Sequence, residues 1–260
     1  MNTLTVTGGP FVTVTLNRPD VRNAFNEELI ADLTAWAQEA AASPDIRGAV
    51  IRGAGKTFCA GADVNWMAKT VTYTREENLA DARRMRRMFE LLDELPFPLI
   101  ARIHGAALGG GAGLASICDI VVAADDATFG FTEVKLGILP AVISPFALRK
   151  IGVSAARELF LTGARFDTAR AIAIGLVHTA VAEAALDAAV ERHLTELRTA
   201  APGAVREAKR MIREVAGRVA TEADITTAAI AERRVSAEGQ EGLRAFLEKR
   251  SATWAGKSET

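Results

Sequence analysis

Two glycine- and alanine-rich turns are the part of the sequence whose residue types and spacing suit chemistry. The first reads Phe-Cys-Ala-Gly-Ala-Asp-Val over residues 58–64, and the second reads His-Gly-Ala-Ala-Leu-Gly-Gly-Gly over residues 104–111. Each turn joins an apolar segment to a helical one, and small residues let a ligand approach the backbone closely. Because helix N-termini leave N–H groups unpaired, two such turns could direct two donors at one oxygen and form an oxyanion hole. On spacing alone, two tightly packed turns are the simpler interpretation.

The elements that must position these turns alternate between strands and helices up to about residue 175, which predicts an α/β region. Apolar residues that alternate with polar ones indicate strands, and apolar residues three and four apart indicate helices. Asn26 is suited to cap the first helix. The predicted elements are strands over 12–16, 49–51, 99–103 and 120–124, and helices after Asn26, over 75–93 and over 114–118.

The C-terminal part of the chain differs from the rest because its helical pattern never returns to strand after residue 182. Pro202, Gly217 and Gly239 interrupt that pattern. We therefore predict a core over residues 1–194 and an all-helical C-terminal unit over residues 195–260.

Composition indicates a cytoplasmic α/β protein. Hydrophobic residues make up 49% of the 260 residues, the net charge is −1, and the two cysteines cannot build a disulfide framework. The N-terminus shows no basic segment followed by an apolar one, and no apolar run is long enough to span a bilayer. His178 and His193 have no partners at metal-ligand spacing, so we expect no metal site.

Four arginines, at positions 83, 84, 86 and 87, lie on or beside the polar face of the helix predicted over 75–93. A solvated helix face explains them, and we predict that all four are solvent-exposed. The alternative, a patch that binds nucleic acid, is disfavoured by the balanced net charge.

Several motifs together resemble the signature of the crotonase (enoyl-CoA hydratase/isomerase) superfamily. Their order and spacing match over nearly the whole chain. The resemblance implies a spiral of ββα turns, an acyl-CoA thioester substrate, no separate cofactor, and a C-terminal helical unit that builds trimers, often paired into hexamers. The motifs are Asn-Arg-Pro (17–19), Asn-Ala-Phe (23–25), the two turns, Cys-Asp-Ile (118–120), Phe-Gly-x-x-Glu-Val-x-Leu-Gly-x-x-Pro (129–140) and the segment from Phe246 to Trp254.

The resemblance also assigns roles to individual residues. The backbone N–H groups of Ala62 and Gly110 would be the two oxyanion donors, and Glu133 would be the catalytic carboxylate. Contacts with the substrate and its CoA would come from Arg22, Ala24, Ala60, Ala62, Asp63, Val64 and Gly110.

The sequence departs from the family pattern at Gly113. Many hydratases of this family carry one glutamate just after the glycine-rich turn and a second one twenty residues later, where this chain has Gly113 and Glu133. We expect the space left at Gly113 to hold either water or part of the substrate, and we favour the substrate. Gly113→Glu should then lose activity on a branched, carboxylated substrate while crotonyl-CoA hydration holds or improves.

The segment Pro-Ala-Val-Ile-Ser-Pro over residues 140–145 stands where the family commonly has Gly-Gly-Thr-Gln. It resembles bacterial methylglutaconyl-CoA hydratases of leucine degradation. A carboxylated acyl group would need a cation near its tail, and Lys135 and Arg149 are the candidates by proximity in sequence.

The sequence thus predicts a hydratase that adds water across the 2,3 double bond of an enoyl-CoA through an oxyanion-stabilised enolate. Three alternatives stay open. A Δ3,Δ2-enoyl-CoA isomerase needs only one base, a decarboxylase needs only the oxyanion hole, and a CoA- or RNA-binding protein needs little catalysis.

Assembly is the property for which the C-terminal unit makes a testable prediction. Apolar residues at positions 225, 230, 243 and 246 exceed what a small separate bundle can bury. We expect a homotrimer or a dimer of trimers by multi-angle light scattering at micromolar concentration. A monomer under those conditions would contradict this expectation.

Overall fold

The protein is an α/β structure of nine strands and ten α-helices within residues 2–215 and 223–252, the part that the computed structural model describes. The side chain of Ile225 and all of Trp254 lie outside the described residues. The strands are β1 (Leu4–Gly8), β2 (Phe11–Leu16), β3 (Gly48–Gly53), β4 (Leu99–Ile103), β5 (Ala106–Leu108), β6 (Ile120–Ala124), β7 (Thr128–Gly130), β8 (Arg165–Asp167) and β9 (Thr179–Val181). The helices are α1 (Glu27–Ala42), α2 (Val64–Thr70), α3 (Arg75–Asp93), α4 (Gly110–Ile117), α5 (Ser144–Thr162), α6 (Thr168–Ala173), α7 (Leu186–Thr199), α8 (Pro202–Val215), α9 (Ala223–Val235) and α10 (Ala237–Leu247).

Six strands form the large sheet in the order β1-β2-β3-β4-β6-β9. Only β1 and β2 are antiparallel, and the other neighbours are parallel. The central strands β4 and β6 are almost wholly buried, as expected of parallel strands that helices cover.

A small sheet of β5, β7 and β8 stands beside the large one. The chain alternates between the two sheets, since β4 leads to β5 and β6 leads to β7, and each pair adds one strand to each sheet. This repetition confirms the spiral of ββα turns that the resemblance implied.

Helices α1 and α3 form where the sequence predicted them. Asn26 caps α1 by accepting a hydrogen bond from the Leu29 N–H at 2.9 Å, and Thr74 and Glu77 form a capping box at the start of α3. The apolar faces of α1 and α3 are buried in one hydrophobic core that both helices share with the large sheet.

Helix α4 begins at Gly110, four residues before the start predicted from sequence. Glycine disfavours a helix in isolation, so the pattern Gly-Gly-Ala-Gly concealed this first turn. Tertiary packing reverses that preference, because every residue of α4 is buried and a Cβ at Gly110 would lie 2.8 Å from the Phe25 ring.

The C-terminal helices fold back onto their own core. No strand follows β9 in the described residues, as predicted. Helix α9 packs along α3, and α10 contacts α2. Ile230 and Leu243 are buried within one chain, whereas Phe246 is 44% exposed. The predicted division after residue 194 lies inside α7, and the two-unit organisation and the trimer stay predictions.

Apolar side chains do remain exposed elsewhere, among them Val153, Leu161 and Ile212. In the described residues, no helix combines the length and the hydropathy of a candidate membrane span.

The side chain of Asn23 ties the N-terminal loop to the loop after β3. It is fully buried and donates to the carbonyl oxygens of Ala54 at 2.8 Å and Thr57 at 2.7 Å. Its Oδ1 atom accepts the Arg18 N–H at 2.9 Å. Its φ is +54°, in the left-handed region that asparagine tolerates better than most residues.

We expect Asn23→Ala to lower the free energy of unfolding by about 2 to 3 kcal/mol, because three partly buried polar groups lose their partner. Urea denaturation measures this change. Arg22→Ala is the matched control, since Arg22 has the same backbone conformation, with φ +55°, and an exposed side chain. Equal losses in the two variants would assign the effect to the backbone and contradict the hydrogen-bond account.

Candidate active site

The two small-residue turns lie side by side and are joined by their backbones. The Phe58 N–H donates to the His104 carbonyl, the Cys59 N–H to the Ala106 carbonyl, and the Leu108 N–H to the Cys59 carbonyl, each at 3.0 Å. These bonds set the register of the turns, so the residues that follow, 61–62 and 109–110, are neighbours.

Two glycines make the close approach of the turns possible. Gly61 has φ +101° and Gly109 has φ +49° with ψ −116°, conformations that side chains rarely permit. A Cβ on Gly61 would lie 3.2 Å from the Leu108 carbonyl oxygen. Any larger residue would therefore strain the backbone and push the turns apart.

The turns present two N–H groups, those of Ala62 and Gly110. Phe25 bridges to the first turn through the Gly61 carbonyl and the Asp63 N–H, so the intervening Ala62 N–H points away from that bridge. Gly110 is the first residue of α4, and its N–H has no intrahelical acceptor. Within the described residues neither N–H has a protein acceptor, and both residues line the same cavity.

The cavity has a volume of about 520 Å³ and a mainly apolar wall. Its wall is built by the two turns, α2, α3, the stretch 132–143, residues 163 and 165, and the C-terminal helices α9 and α10. Its large apolar side chains include those of Trp66, Met67, Met85, Leu108, Leu136, Ile138, Leu139, Ile143, Ile230, Leu243 and Phe246.

Glu133 is the only acidic side chain in this wall among the residues that the structure describes. A Cβ built on Gly109 would lie 3.4 Å from its Oε1 atom, so the carboxyl group adjoins the second turn. Its Oε2 atom is buried and has no hydrogen-bond partner in the described residues. Burial raises the pKa of Glu133 to about 7, against a weaker opposing effect of its own backbone N–H. A carboxyl group in this state can take up and release a proton near neutral pH.

Asp63 holds the first turn in place through its side chain. Its Oδ2 atom pairs with the Arg18 guanidinium at 2.7 Å, and its Oδ1 atom accepts the Asn65 N–H at 2.8 Å, which caps α2. Arg18 also donates to the Ala24 carbonyl. The Asp63 carboxylate is thus already engaged. The backbone of the residue is engaged as well, because its N–H donates to the Phe25 carbonyl at 2.8 Å and its carbonyl accepts the Met67 N–H at 2.9 Å.

The residues assigned to substrate and CoA binding, apart from Gly110 in the second turn, come from two segments that run side by side, 22–25 and 60–64. Their backbones are joined by the Ala60 N–H to the Arg22 carbonyl at 3.0 Å, and by the two bonds of Phe25 at 2.7 and 2.8 Å. Arg22 and Val64 are exposed at this rim, and Ala24 is buried. The fold therefore brings the predicted set together beside Ala62.

Cys59 lies in the first turn but is not suited to act as a nucleophile. Its thiol is buried, and burial raises its pKa to about 12. His104 is also a packed residue, with Nε2 at 2.8 Å from the Gly55 carbonyl oxygen.

The expectation for Gly113 is wrong, because neither water nor substrate has room at this position. A Cβ there would lie 2.5 Å from Ile143 Cγ2 and 3.0 Å from Phe89 Cζ. The side chains of Ile143 and Phe89 occupy the place of the missing glutamate side chain. Sequence alone could not show this, since Ile143 lies thirty residues further along the chain.

Two further expectations need correction. Arg86 is buried rather than solvated: its Nε donates to Glu90 at 2.9 Å and its guanidinium lies 4.7 Å from the Phe146 ring centroid. It lies four residues after Ala82 and three before Phe89, on the packed face of α3. Arg149 pairs with Asp93 at 3.0 Å and does not line the cavity, so it is not the cation of an acyl pocket.

Sequence reasoning missed two cations that do line the cavity, Arg165 on β8 and Arg234 on α9. Both are distant in sequence from the motifs, and only the fold brings them to the wall. Of the two earlier candidates, Lys135 is in the wall. In the described residues, no group of three or more His, Cys, Asp or Glu side chains is arranged to hold a metal ion.

Comparison with solved structures shows which enzymes share this fold. An enoyl-CoA hydratase from Mycobacterium avium superposes with a TM-score of 0.86 at 34% identity, over 98% of this chain and 100% of that one. An enoyl-CoA hydratase from Shewanella pealeana gives a TM-score of 0.80 at 38% identity, over 97% of this chain and 96% of that one. The fold is that of the crotonase class of enzymes.

Sequence comparison agrees with the fold. A Mycobacterium tuberculosis protein named "Probable enoyl-CoA hydratase echA8" is 37% identical over 247 residues, which are 92% of this chain and 91% of that protein. The family model described as enoyl-CoA hydratase/isomerase matches residues 8–257. The chain belongs to the enoyl-CoA hydratase/isomerase family of enzymes.

The packing at Gly113 leads to a prediction about stability. Gly113→Ala should lower the free energy of unfolding by about 1–3 kcal/mol because the new methyl group overpacks against Ile143. Ile143→Ala should reduce that cost when the two changes are combined. Gly203→Ala is the matched control, since its Cβ meets nothing within 4 Å and the residue lies in helix α8.

Urea denaturation of the parent, Gly113→Ala, Ile143→Ala and the combined variant completes a double-mutant cycle, and Gly203→Ala is measured beside them as the control. Strictly additive effects of Gly113→Ala and Ile143→Ala would contradict the contact. Gly113→Glu should be far more destabilised than Gly113→Ala, and it should lose activity on all substrates together rather than on a carboxylated one alone.

Proposed function

We propose that the protein is a hydratase that adds water across the 2,3 double bond of an enoyl-CoA thioester. The observation that carries this proposal is the position of the buried Glu133 carboxyl group in the same cavity wall as the N–H groups of Ala62 and Gly110. Within the described residues, the Glu133 Oε2 atom has no hydrogen-bond partner and the two N–H groups have no protein acceptor. Membership in the enoyl-CoA hydratase/isomerase family supports the same reaction.

In the proposed reaction, the thioester oxygen accepts hydrogen bonds from the N–H groups of Ala62 and Gly110. These donors stabilise the enolate more than the neutral carbonyl, which is the differential binding that catalysis requires. Removing one donor of this kind typically costs about 3 to 4 kcal/mol of activation free energy. The position of Gly110 at the N-terminus of α4 adds a partial positive charge.

Glu133 takes a proton from water as the water oxygen bonds to C3. The electrons of the double bond move to the thioester oxygen and form the enolate. Glu133 then returns a proton to C2, and the enolate collapses to the hydrated thioester, so that one carboxyl group serves as base and then as acid. The rest of the wall supplies no second carboxylate in the described residues, which is why we assign both steps to Glu133.

The substrate enters with coenzyme A as part of it, and water addition needs no other cofactor. We assign the CoA portion to the rim formed by residues 22–25 and 60–64, with Arg22 and Val64 exposed there. The acyl group would occupy the apolar part of the cavity between α2 and α10. We extend the proposal to a branched or carboxylated acyl group such as methylglutaconyl, to a cytoplasmic location and to a trimeric assembly.

A Δ3,Δ2-enoyl-CoA isomerase is the second candidate, and one observation favours it. A single base suffices to move a proton between C4 and C2, and the cavity wall offers a single carboxyl group in the described residues. Crotonyl-CoA and a 3-enoyl-CoA, supplied separately with mass detection of the products, distinguish the two. A hydrated product from crotonyl-CoA supports the hydratase, and conversion of the 3-enoyl-CoA without hydration supports the isomerase.

Replacing Glu133 tests the proposed mechanism directly. Glu133→Gln should lower kcat for crotonyl-CoA hydration on the order of 10²-fold or more, because the base is lost while size and polarity are kept. In the wild type, kcat/KM should fall as pH drops through about 7, since the carboxyl group must be ionised to act as base. Stopped assays across pH 5.5 to 9 would measure both effects.

The control for this experiment is Glu94→Gln, because Glu94 pairs with Arg213 at the surface and does not line the cavity. The Glu133 variant should also remain folded. The pKa of Glu133 is about 7 in the folded protein, above the ordinary glutamate value of 4.5. The wild type therefore loses stability as pH rises from about 4.5 through 7, and the Gln variant lacks that loss. Near wild-type activity in a folded Glu133→Gln variant would place the base elsewhere.

A further inference from the structure

Among the residues that the structure describes, three cationic side chains line the cavity, and they differ in whether a carboxylate pairs with them. Arg234 is buried, and Asp81, which is itself buried, pairs with its NH1 atom at 3.0 Å. The guanidinium also lies 5.6 Å from the Trp66 ring centroid. Arg234 is therefore neutralised where it stands and contributes little net charge to the cavity.

Lys135 and Arg165 have no such partner. In the described part of the chain, no carboxylate lies within ion-pair distance of either side chain. Both are exposed, and both belong to the cavity wall. The uncompensated positive charge of the wall is thus located at these two residues.

The two cations lie together at one edge of the cavity, formed by residues 135, 163 and 165, which we call the cationic edge. The stem of Lys135 passes over Gly163, where a Cβ would lie 3.1 Å from Lys135 Cγ and 3.3 Å from its Cε. Arg165 follows Gly163 by two residues, at the start of β8. Glycine at position 163 is what lets the lysine lie against this part of the chain.

The cationic edge adjoins the second turn through the small sheet. Leu108, Gly130 and Arg165 are register partners across β5, β7 and β8, so their side-chain positions share one face. A Cβ on Gly130 would lie 3.0 Å from Thr132 Cγ2, 3.4 Å from Leu108 Cδ2 and 3.5 Å from Arg165 Cγ, so these three side chains pack over the glycine. The Gly130 carbonyl accepts the Gly109 N–H at 2.8 Å, so this contact lies next to the second turn.

From these contacts we infer that Lys135 and Arg165 form a subsite for an anionic group of the acyl-CoA, and that this group is a carboxylate at the distal end of the acyl chain. The inference rests on the proposed function and specifies its substrate class. A carboxylate at the cationic edge would receive charge-assisted hydrogen bonds from both side chains. A neutral acyl chain would gain nothing from them, so the pair selects by charge.

A pair of substrates that differ in one group tests the inference. Glutaconyl-CoA is crotonyl-CoA with a carboxylate on C4. Lys135→Met and Arg165→Met remove one charge each and keep an apolar stem. We expect each to lower kcat/KM for glutaconyl-CoA roughly tenfold, mainly through KM, and the double variant to lower it further. The loss should shrink at high ionic strength, because both side chains are exposed.

For crotonyl-CoA the same variants should stay within about twofold of the wild type. Arg149→Met is the matched control, since Arg149 pairs with Asp93 and lies outside the cavity wall, and it should change neither substrate. Arg165→Lys should restore part of the activity on glutaconyl-CoA, because it restores the charge. Circular dichroism and thermal unfolding of each variant identify any loss of fold.

A third substrate separates the acyl carboxylate from the phosphates of CoA. If the variants impair crotonyl-CoA and glutaconyl-CoA equally but spare crotonyl-pantetheine, the cations hold the CoA phosphates and the inference is overturned. It is also overturned if the variants change none of the substrates, or if the wild type does not act on glutaconyl-CoA. Failure of the wild type to hydrate crotonyl-CoA would instead refute the proposed hydratase, so the two failures are distinguishable.

Discussion

The close backbone pairing of the two small-residue turns is the constraint on which the rest of the structure depends. Three N–H···O bonds hold the turns together, and that spacing requires residues without side chains at Gly61 and Gly109. The same requirement applies at Gly105, where a Cβ would lie 3.1 Å from Thr57 Cα. Because the paired turns leave the N–H groups of Ala62 and Gly110 without acceptors among the described residues, the geometry that makes the site also makes two donors available.

The surroundings of Glu133 follow from that pairing. The small sheet that carries the second turn also carries the segment that begins at Glu133, so the carboxyl group is buried beside Gly109 and not in solvent. Burial without a counterion disfavours the charged form, which raises the pKa into the range useful for proton transfer. The cost of keeping such a group is a carboxyl oxygen without a hydrogen bond, which the surrounding core must offset.

Much of the fold could be predicted from local patterns. Helix α3 and strands β4 and β6 have the bounds that periodicity predicted, because each buries one regular set of apolar side chains. Prediction failed where packing overrides local preference. Helix α4 begins within a run of glycines, and Arg86 is buried although its three neighbouring arginines are exposed. In both cases a contact from a distant segment, Phe25 or Phe146, decides the outcome.

The sequence by itself determined the family, the two turns and the single carboxylate at position 133, because these depend on short motifs whose residues are close along the chain. Only the tertiary structure decided what surrounds them. Ile143 fills the place of the missing glutamate at position 113, Asp63 has its side chain occupied by Arg18, and Arg165 reaches the cavity wall although no motif contains it. Such contacts join residues far apart in sequence, and the spacing along a chain carries no information about which side chains meet when its sheets and helices pack.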